Sequence, residues 1–374
     1  MSEICHMHDG EVFIPQFGQA FRGGTALAFF DSLREEEPMS YHPSRRNLLA
    51  LTGGLACLSV VRSGRTQPKW KVAALFAGRI DDGGFMEAGY RGLVAAREKL
   101  GVEIAWRDQI KPERDMLATA LRELAIDGAA LVIAHGGQNN DAARSAAVDF
   151  PGTKFVVTQG NVTGQNLASY EVLQEESAFL AGALAGWATT TGIVGHMSGI
   201  RVVPGLKGRA AFANGIIHAN PATRLLTNFS GNQDDNVLSK RVATAMIDAR
   251  ADIIFTMLNA GRTGAIEACR ERGVKQIGNV RDWVAAMPTV FIASAVADSG
   301  VAVLRAVEDL VGGMVRINAI EKIGLKHPDP VRLTISSTVS ADIRRQVDSL
   351  ADQIKAGAVT VPTTWNGAEF PNPA

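Results

Sequence analysis

The sequence predicts an α/β protein of two doubly wound, Rossmann-like lobes, and three observations lead there. The chain has 374 residues, too many for one ordinary core. From Lys71 onward, short apolar runs alternate with amphipathic stretches almost without interruption. Its 38 glycines and low aromatic content of 6% suit short strands and helices with tight connections.

Lys71 to Phe76 (KVAALF) reads as a buried strand. Phe85 to Leu100 carries apolar residues at helical spacing and leads to a strand at Glu103 to Trp106, which completes a βαβ unit. Helices at Glu113 to Ile126 and Asn140 to Asp149 then alternate with strands at Ala130 to Ala134 and Lys154 to Thr158. Such brief apolar strands imply a parallel sheet covered on both faces. After Gln159 and Gly160 a second series begins with a helix at Glu175 to Ala188, a strand at Ile193 to Met197, a helix at Gly208 to His218 and a strand at Arg224 to Asn228. It continues with helix Asp235 to Ala249, strand Asp252 to Thr256, helix Gly264 to Arg272 and strand Gln276 to Gly278. The expected division is lobe 1 at residues 70–162 plus 297–318 and lobe 2 at 163–296 plus 319–366. Ligands of such sheets sit at the carboxyl ends of strands, so the residues just after each strand are the candidates.

The N-terminal segment reads as an export signal. Leu48 to Val61 is uncharged, apolar and short for a membrane span, and it follows Arg45 and Arg46. The order Ser44, Arg45, Arg46, Asn47, Leu48, Leu49 resembles the twin-arginine motif, which predicts a periplasmic protein exported by that route. Residues 1–38 carry an acidic run at Glu35, Glu36 and Glu37 and read as a non-native upstream extension, which leaves 39–69 as signal and linker. Cys57 follows Gly54, Leu55 and Ala56, close to a lipoprotein cleavage box, so a lipid anchor at Cys57 is one open reading. Cys5 and Cys57 both precede the folded part, where Cys269 alone argues against a structural disulfide or a cysteine zinc site.

Composition and motifs exclude several classes. Lys and Arg number 38, as do Asp and Glu, so no basic excess marks a nucleic-acid binder. No G-x-G-x-x-G follows the first strand, where Ala77 to Asp82 stand, and no Walker loop, G-x-S-x-G elbow or H-E-x-x-H occurs. The scattered histidines show no metal-ligand spacing, and no cofactor is expected. Asp82, beside Gly83 and Gly84, falls near the N-cap of the first helix.

Four stretches carry a family resemblance: Ile80 to Leu93 (IDDGGFMEAGYRGL), Phe150 to Gly160 (FPGTKFVVTQG), Glu176 to Gly186 (ESAFLAGALAG) and Ala245 to Phe255 (AMIDARADIIF). In this order they resemble the basic membrane protein family of ABC-transporter solute-binding proteins, over about Lys71 to Gly367. The resemblance implies a type I periplasmic-binding-protein fold, two lobes joined by crossover strands, and a purine nucleoside or nucleobase as ligand. It also implies an ABC permease and ATPase as partners, and no enzymatic activity.

Matching positions one at a time gives candidate ligand-binding residues. Phe85 matches an aromatic after the first strand and would stack on a purine; the other reading is a core residue of the first helix. Phe76 falls where nucleobase-type members have an aromatic, so that two rings would grip one base. Asn140 and Asp141 follow a strand, and Asp141 matches an acidic position of the family or caps its helix. Asp235 opens a helix at the family's Asp, again with capping as the other reading. Asp82, Asn259 and Asp282 complete the set, with Asp282 expected to accept from ring N–H or amino groups. Two departures stand out. The family's lysine falls at Ala297, and its G-V-D signature at Gly278, Asn279 and Val280. Both remove polar groups offered to a nucleoside, which favours a free base or another small planar ring. The protein is expected to act as a monomer, without nucleic acid, and to touch a membrane only through Cys57. A ligand-sensing regulator and a two-lobed enzyme with an unrecognised site are the alternatives.

Overall fold

The computed structural model describes residues 70–373. The expectations for residues 1–38 and 39–69, including the twin-arginine motif and Cys57, lie outside them. The described residues lie within one compact unit, in which two six-stranded sheets are each flanked by helices.

The first sheet is built from β1 (Lys71–Phe76), β2 (Glu103–Arg107), β3 (Leu131–His135), β4 (Lys154–Thr158), β5 (Leu167–Val172) and β11 (Ile320–Ile323), in spatial order β11-β5-β4-β3-β1-β2, and all its pairs are parallel. The intervening helices are α1 (Phe85–Leu100), α2 (Arg114–Ile126) and α3 (Asn140–Asp149), and α9 (Ser299–Val311) packs beside α1. In the second sheet the order is β12-β10-β9-β8-β6-β7, from β6 (Ile193–Ser198), β7 (Arg224–Phe229), β8 (Ile253–Met257), β9 (Lys275–Val280), β10 (Phe291–Ala297) and β12 (Val331–Ile335). Its helices are α4 (Gln174–Ala188), α5 (Val203–Ala219), α6 (Asn236–Asp248), α7 (Arg262–Arg272), the short α8 (Trp283–Ala286) and α10 (Ala341–Lys355). Only β12 runs antiparallel to its neighbour, β10, among the named strand pairs.

The chain passes between the sheets three times, after β5, β10 and β11. This corrects the expected lobe boundaries. Residues 167–172 and 320–323, assigned from sequence to lobe 2, pair within the first sheet, because β5 extends the parallel ladder from β4 before the chain crosses. Buried strands such as β3, β5 and β10 explain why the helices must cover both faces. α4 is buried over most of its length and lies backbone to backbone on α5: a Cβ on Gly182 would sit 2.0 Å from the Phe212 carbonyl oxygen, and one on Gly215 would sit 2.1 Å from that of Phe179. Glycine is the residue that permits this approach.

Near the first crossing, Lys207 of α5 is ion-paired with Glu171 of β5 and, at 3.2 Å, with Glu175 of α4. It thereby ties the first sheet to helices of the second. Burial raises the Glu175 carboxyl above its ordinary range despite the cation. After α10 the chain runs without regular structure along β7. The Phe370 N–H donates to the Thr227 carbonyl at 2.7 Å, and Asn228 donates to the Phe370 carbonyl at 2.9 Å. The buried Arg209 lies 4.7 Å from the Trp365 ring centre and pairs with Glu369 at 3.2 Å. Among the described residues no helix is long and apolar enough to cross a membrane.

Candidate functional site

The carboxyl ends of the parallel strands of the two sheets border a cavity of about 410 Å³. The first lobe lines it with Ala77 after β1, with Phe85 and Met86 at the start of α1, and with Gly137 and Gln138 after β3. The second lobe contributes Ser198 and Ile200 at and after the end of β6, Asn232 to Asp234 after β7, Met257 and Asn259 at and after the end of β8, and Asn279 and Val280 at the end of β9. Gln174 reaches it from the first crossing. These positions follow from the topology, since strand ends in open α/β sheets leave a crevice where loops diverge. The lobes meet at the cavity's margin, where the Phe85 N–H donates to Asn259 Oδ1 at 3.4 Å.

The wall pairs apolar surface with amides. Asp234 is the one carboxylate lining the cavity among the described residues, and no Lys, Arg or His lines it. That combination suits a small neutral ring with several hydrogen-bonding edges. A volume in this range is typical of small-molecule pockets.

Phe85 is half-buried and stacks on the His135 imidazole, with ring centres 4.2 Å apart and planes 23° apart. His135 is fully buried, with Nδ1 2.7 Å from Thr158 Oγ1 and Nε2 2.9 Å from the Phe85 carbonyl oxygen. A carbonyl only accepts, so Nε2 carries the proton and Nδ1 takes the threonine hydroxyl. Burial lowers the imidazole to about 4, so it is neutral at pH 7. On the other lobe, Arg262 is buried behind the wall. Its guanidinium donates to Thr256 O and Oγ1 at 2.9 Å each, to the Leu258 carbonyl and to Asn279 Oδ1, and lies 4.7 Å from the Trp283 ring centre. Burial brings it down to about 9.

Of the residues proposed from sequence, Phe85 and Asn259 line the cavity and the other six do not. Phe76 is a correction: it is fully buried in the first lobe's core, edge-on to Tyr90 and 5.4 Å from the His135 ring, because β1 is covered on both faces. A grip by two phenylalanines is therefore not formed. Asp82 caps α1, accepting from Gly84 N–H at 2.8 Å and from Met86 and Glu87 N–H at 3.1 Å. Asn140 donates to Asn161 Oδ1 at 2.8 Å, and the exposed Asp141 pairs with Arg144 at 2.9 Å. Asp235 caps α6 through Leu238 N–H at 2.9 Å. Asp282 caps α8 through Ala285 N–H at 3.1 Å and borders a separate cavity beside α1, lined also by Arg91, Asp298 and Arg332. Asp82, Asp235 and Asp282 thus satisfy orphan amides at helix starts.

Sequence reasoning missed Asn279, Asn232, Asp234, Gln138 and Gln174. Asn279 was read as the loss of a family contact, yet its amide lines the cavity. The available signal was its place at a strand's carboxyl end, the same kind of place that the run Asn232, Gln233, Asp234 holds after β7.

A family model described as "ABC transporter substrate-binding protein PnrA-like", Bmp, matches residues 69–364. The chain belongs to this family. Among Bmp relatives, Basic membrane protein A of Borreliella burgdorferi is 25% identical over 312 residues, 80% of this chain and 89% of that one. A purine-binding protein of Brucella abortus is 24% identical over 236 residues, 63% of this chain and 67% of that one. The transcriptional activator protein Med of Bacillus subtilis is 24% identical over 212 residues, 57% of this chain and 66% of Med, just short of two thirds of its length. An ABC-transporter solute-binding protein structure from Aeropyrum pernix K1 superposes with a TM-score of 0.71 at 21% identity, covering 79% of this chain and 94% of that one. That likeness establishes the type I binding-protein architecture of the Bmp chain.

Proposed function

We propose that this Bmp-family chain captures a purine-like base between its lobes and hands it to an ABC permease outside the cytoplasm. The observation that carries the reading is the cavity itself, which draws on strand ends of both sheets, offers Phe85 for stacking and surrounds it with amides. The purine-binding relative from Brucella abortus supports the choice of ring. A base has about ten heavy atoms, so a dissociation constant near 1 μM asks for roughly 0.8 kcal/mol per atom, below the ceiling of about 1.5 for very small ligands. Mass spectrometry of ligand released from the purified protein, followed by calorimetry with purine bases and nucleosides, tests this directly. A co-purified ligand of another class, with no heat from any purine, refutes it. Arg45 and Arg46 support export by the twin-arginine route, and their joint replacement by Lys should leave the precursor in the cytoplasm.

The similarity to Med favours one second reading, a ligand-sensing regulator. Cell fractionation separates the two, because a regulator stays with the cytoplasm and a solute-binding protein leaves it.

A further inference from the structure

The hydrogen bonds around the cavity fix the direction of three asparagine side chains. The two ends of an amide are alike in shape, so the partner decides which atom faces it. At Asn279 the partner is the Arg262 guanidinium, at Asn259 the Phe85 N–H, and at Asn232 the Asp234 N–H at 2.8 Å. None of these groups can accept a hydrogen bond. Each therefore faces the amide oxygen and leaves the NH2 group for another partner. Among the described residues those three NH2 groups donate to no protein acceptor, and none is a buried atom without a partner.

We infer that the second lobe presents hydrogen-bond donors to the ligand, so that the site selects oxo-purines, whose ring carbonyls accept, over aminopurines, whose exocyclic groups donate. This rests on the purine reading above and narrows it. Asp234 adds one acceptor to the same wall, its Oδ1 already taking the Ala260 N–H at 3.1 Å. A lactam, with a carbonyl beside an N–H, satisfies both kinds of group.

Arg262 acts as the positioning residue. Turning the Asn279 amide to offer its oxygen would set NH2 against guanidinium, donor against donor, and strand both in a buried place. The backbone is held as well. The Trp283 indole N–H donates to the Asn279 carbonyl at 3.0 Å, and Trp283 fits there because residue 278 is glycine: a Cβ would lie 2.4 Å from Trp283 Cδ1. Val280, next along, has φ 70°, a left-handed conformation that a β-branched residue rarely takes and that the surrounding contacts must impose. A donor wall fixed before the ligand arrives gives selectivity, because an aminopurine would leave donors facing donors.

Calorimetry with hypoxanthine, xanthine, adenine and diaminopurine tests this on the native protein and on Asn279→Asp and Asn259→Asp. Each aspartate keeps an oxygen for its protein donor and turns the free NH2 into an acceptor. The native protein should bind the oxo-purines at least about tenfold more tightly than the aminopurines, and the aspartate variants should narrow or invert that ratio. A native preference for aminopurines, or none either way, overturns the inference and leaves the purine reading standing. Binding of none of the four overturns both. A ratio unchanged in both variants removes the asparagines from the selection.

Discussion

Replacing Phe85 by alanine probes the first lobe's wall through two readouts. The ring covers the His135 imidazole at 4.2 Å, and burial holds that imidazole at about 4 against an ordinary 6.5. That displacement corresponds to roughly 3 kcal/mol withheld from the charged form. Removing the ring admits water to one face of His135 and should return part of this, raising its titration midpoint by about one unit. The folded value lies below the unfolded one, so His135 contributes its stability in full above about pH 6.5 and loses it as pH falls from there toward 4. In Phe85→Ala the total lost across that window should shrink by roughly 1.4 kcal/mol for each unit regained. Ligand affinity should fall as well, by about 1–3 kcal/mol or roughly fivefold to over a hundredfold, from lost stacking and contact area. Proton NMR of the imidazole and calorimetry with the purine bases proposed as ligands provide the measurements. An unmoved His135 together with native affinity would refute the argument that this ring both shields the histidine and faces the ligand.

Three further outcomes are expected. Asp282→Ala should cost about 0.5–1 kcal/mol of stability through the lost cap, with base affinity unchanged by calorimetry; a tenfold weakening would return Asp282 to the site. Lys207→Met leaves Glu171 and Glu175 buried without their cation and should destabilise by about 3 kcal/mol in urea unfolding, part of it recovered when Glu171→Gln is added; native stability in the single variant would show that the pair is solvated. Gly278→Ala drives a methyl into Trp283 and should cost about 1–3 kcal/mol in thermal unfolding, whereas a neutral effect would mean that Trp283 moves aside freely.

The four strands and three α-helices before Gly160, apart from small shifts at their ends, were legible because each is a clean apolar run or an amphipathic repeat. β5 was not, since Ser169, Tyr170 and Glu171 interrupt its apolar pattern, although Glu171 is buried only because Lys207 meets it. β11, with Glu321 and Lys322 between two isoleucines, is too short and charged to announce itself. Losing both displaced the lobe boundary. At the site, aspartates after strands looked like ligand contacts because a capping carboxylate and a binding carboxylate occupy the same sequence position. Asp82, Asp235 and Asp282 all accept from the next helix's own amides. The amides that line the cavity carry no such signature, since what distinguishes Asn279 is Arg262 behind it, 17 positions away in sequence.

The segment that follows α10 lies along β7, the outermost strand of the second sheet. An open outer strand presents unpaired N–H and C=O groups that invite another chain to add on, and natural proteins blunt such strands by covering them. Here the Phe370 N–H and the Asn372 side-chain amide donate to the Thr227 and Ser230 carbonyls, while Glu369 neutralises the buried Arg209. Ending the chain near residue 358 would uncover both features at once, a sticky ladder and an unpaired cation, and self-association in solution would follow. Fusions placed at this end should therefore leave residues up to 373 intact, and affinity tags are safer beyond that point than in exchange for it.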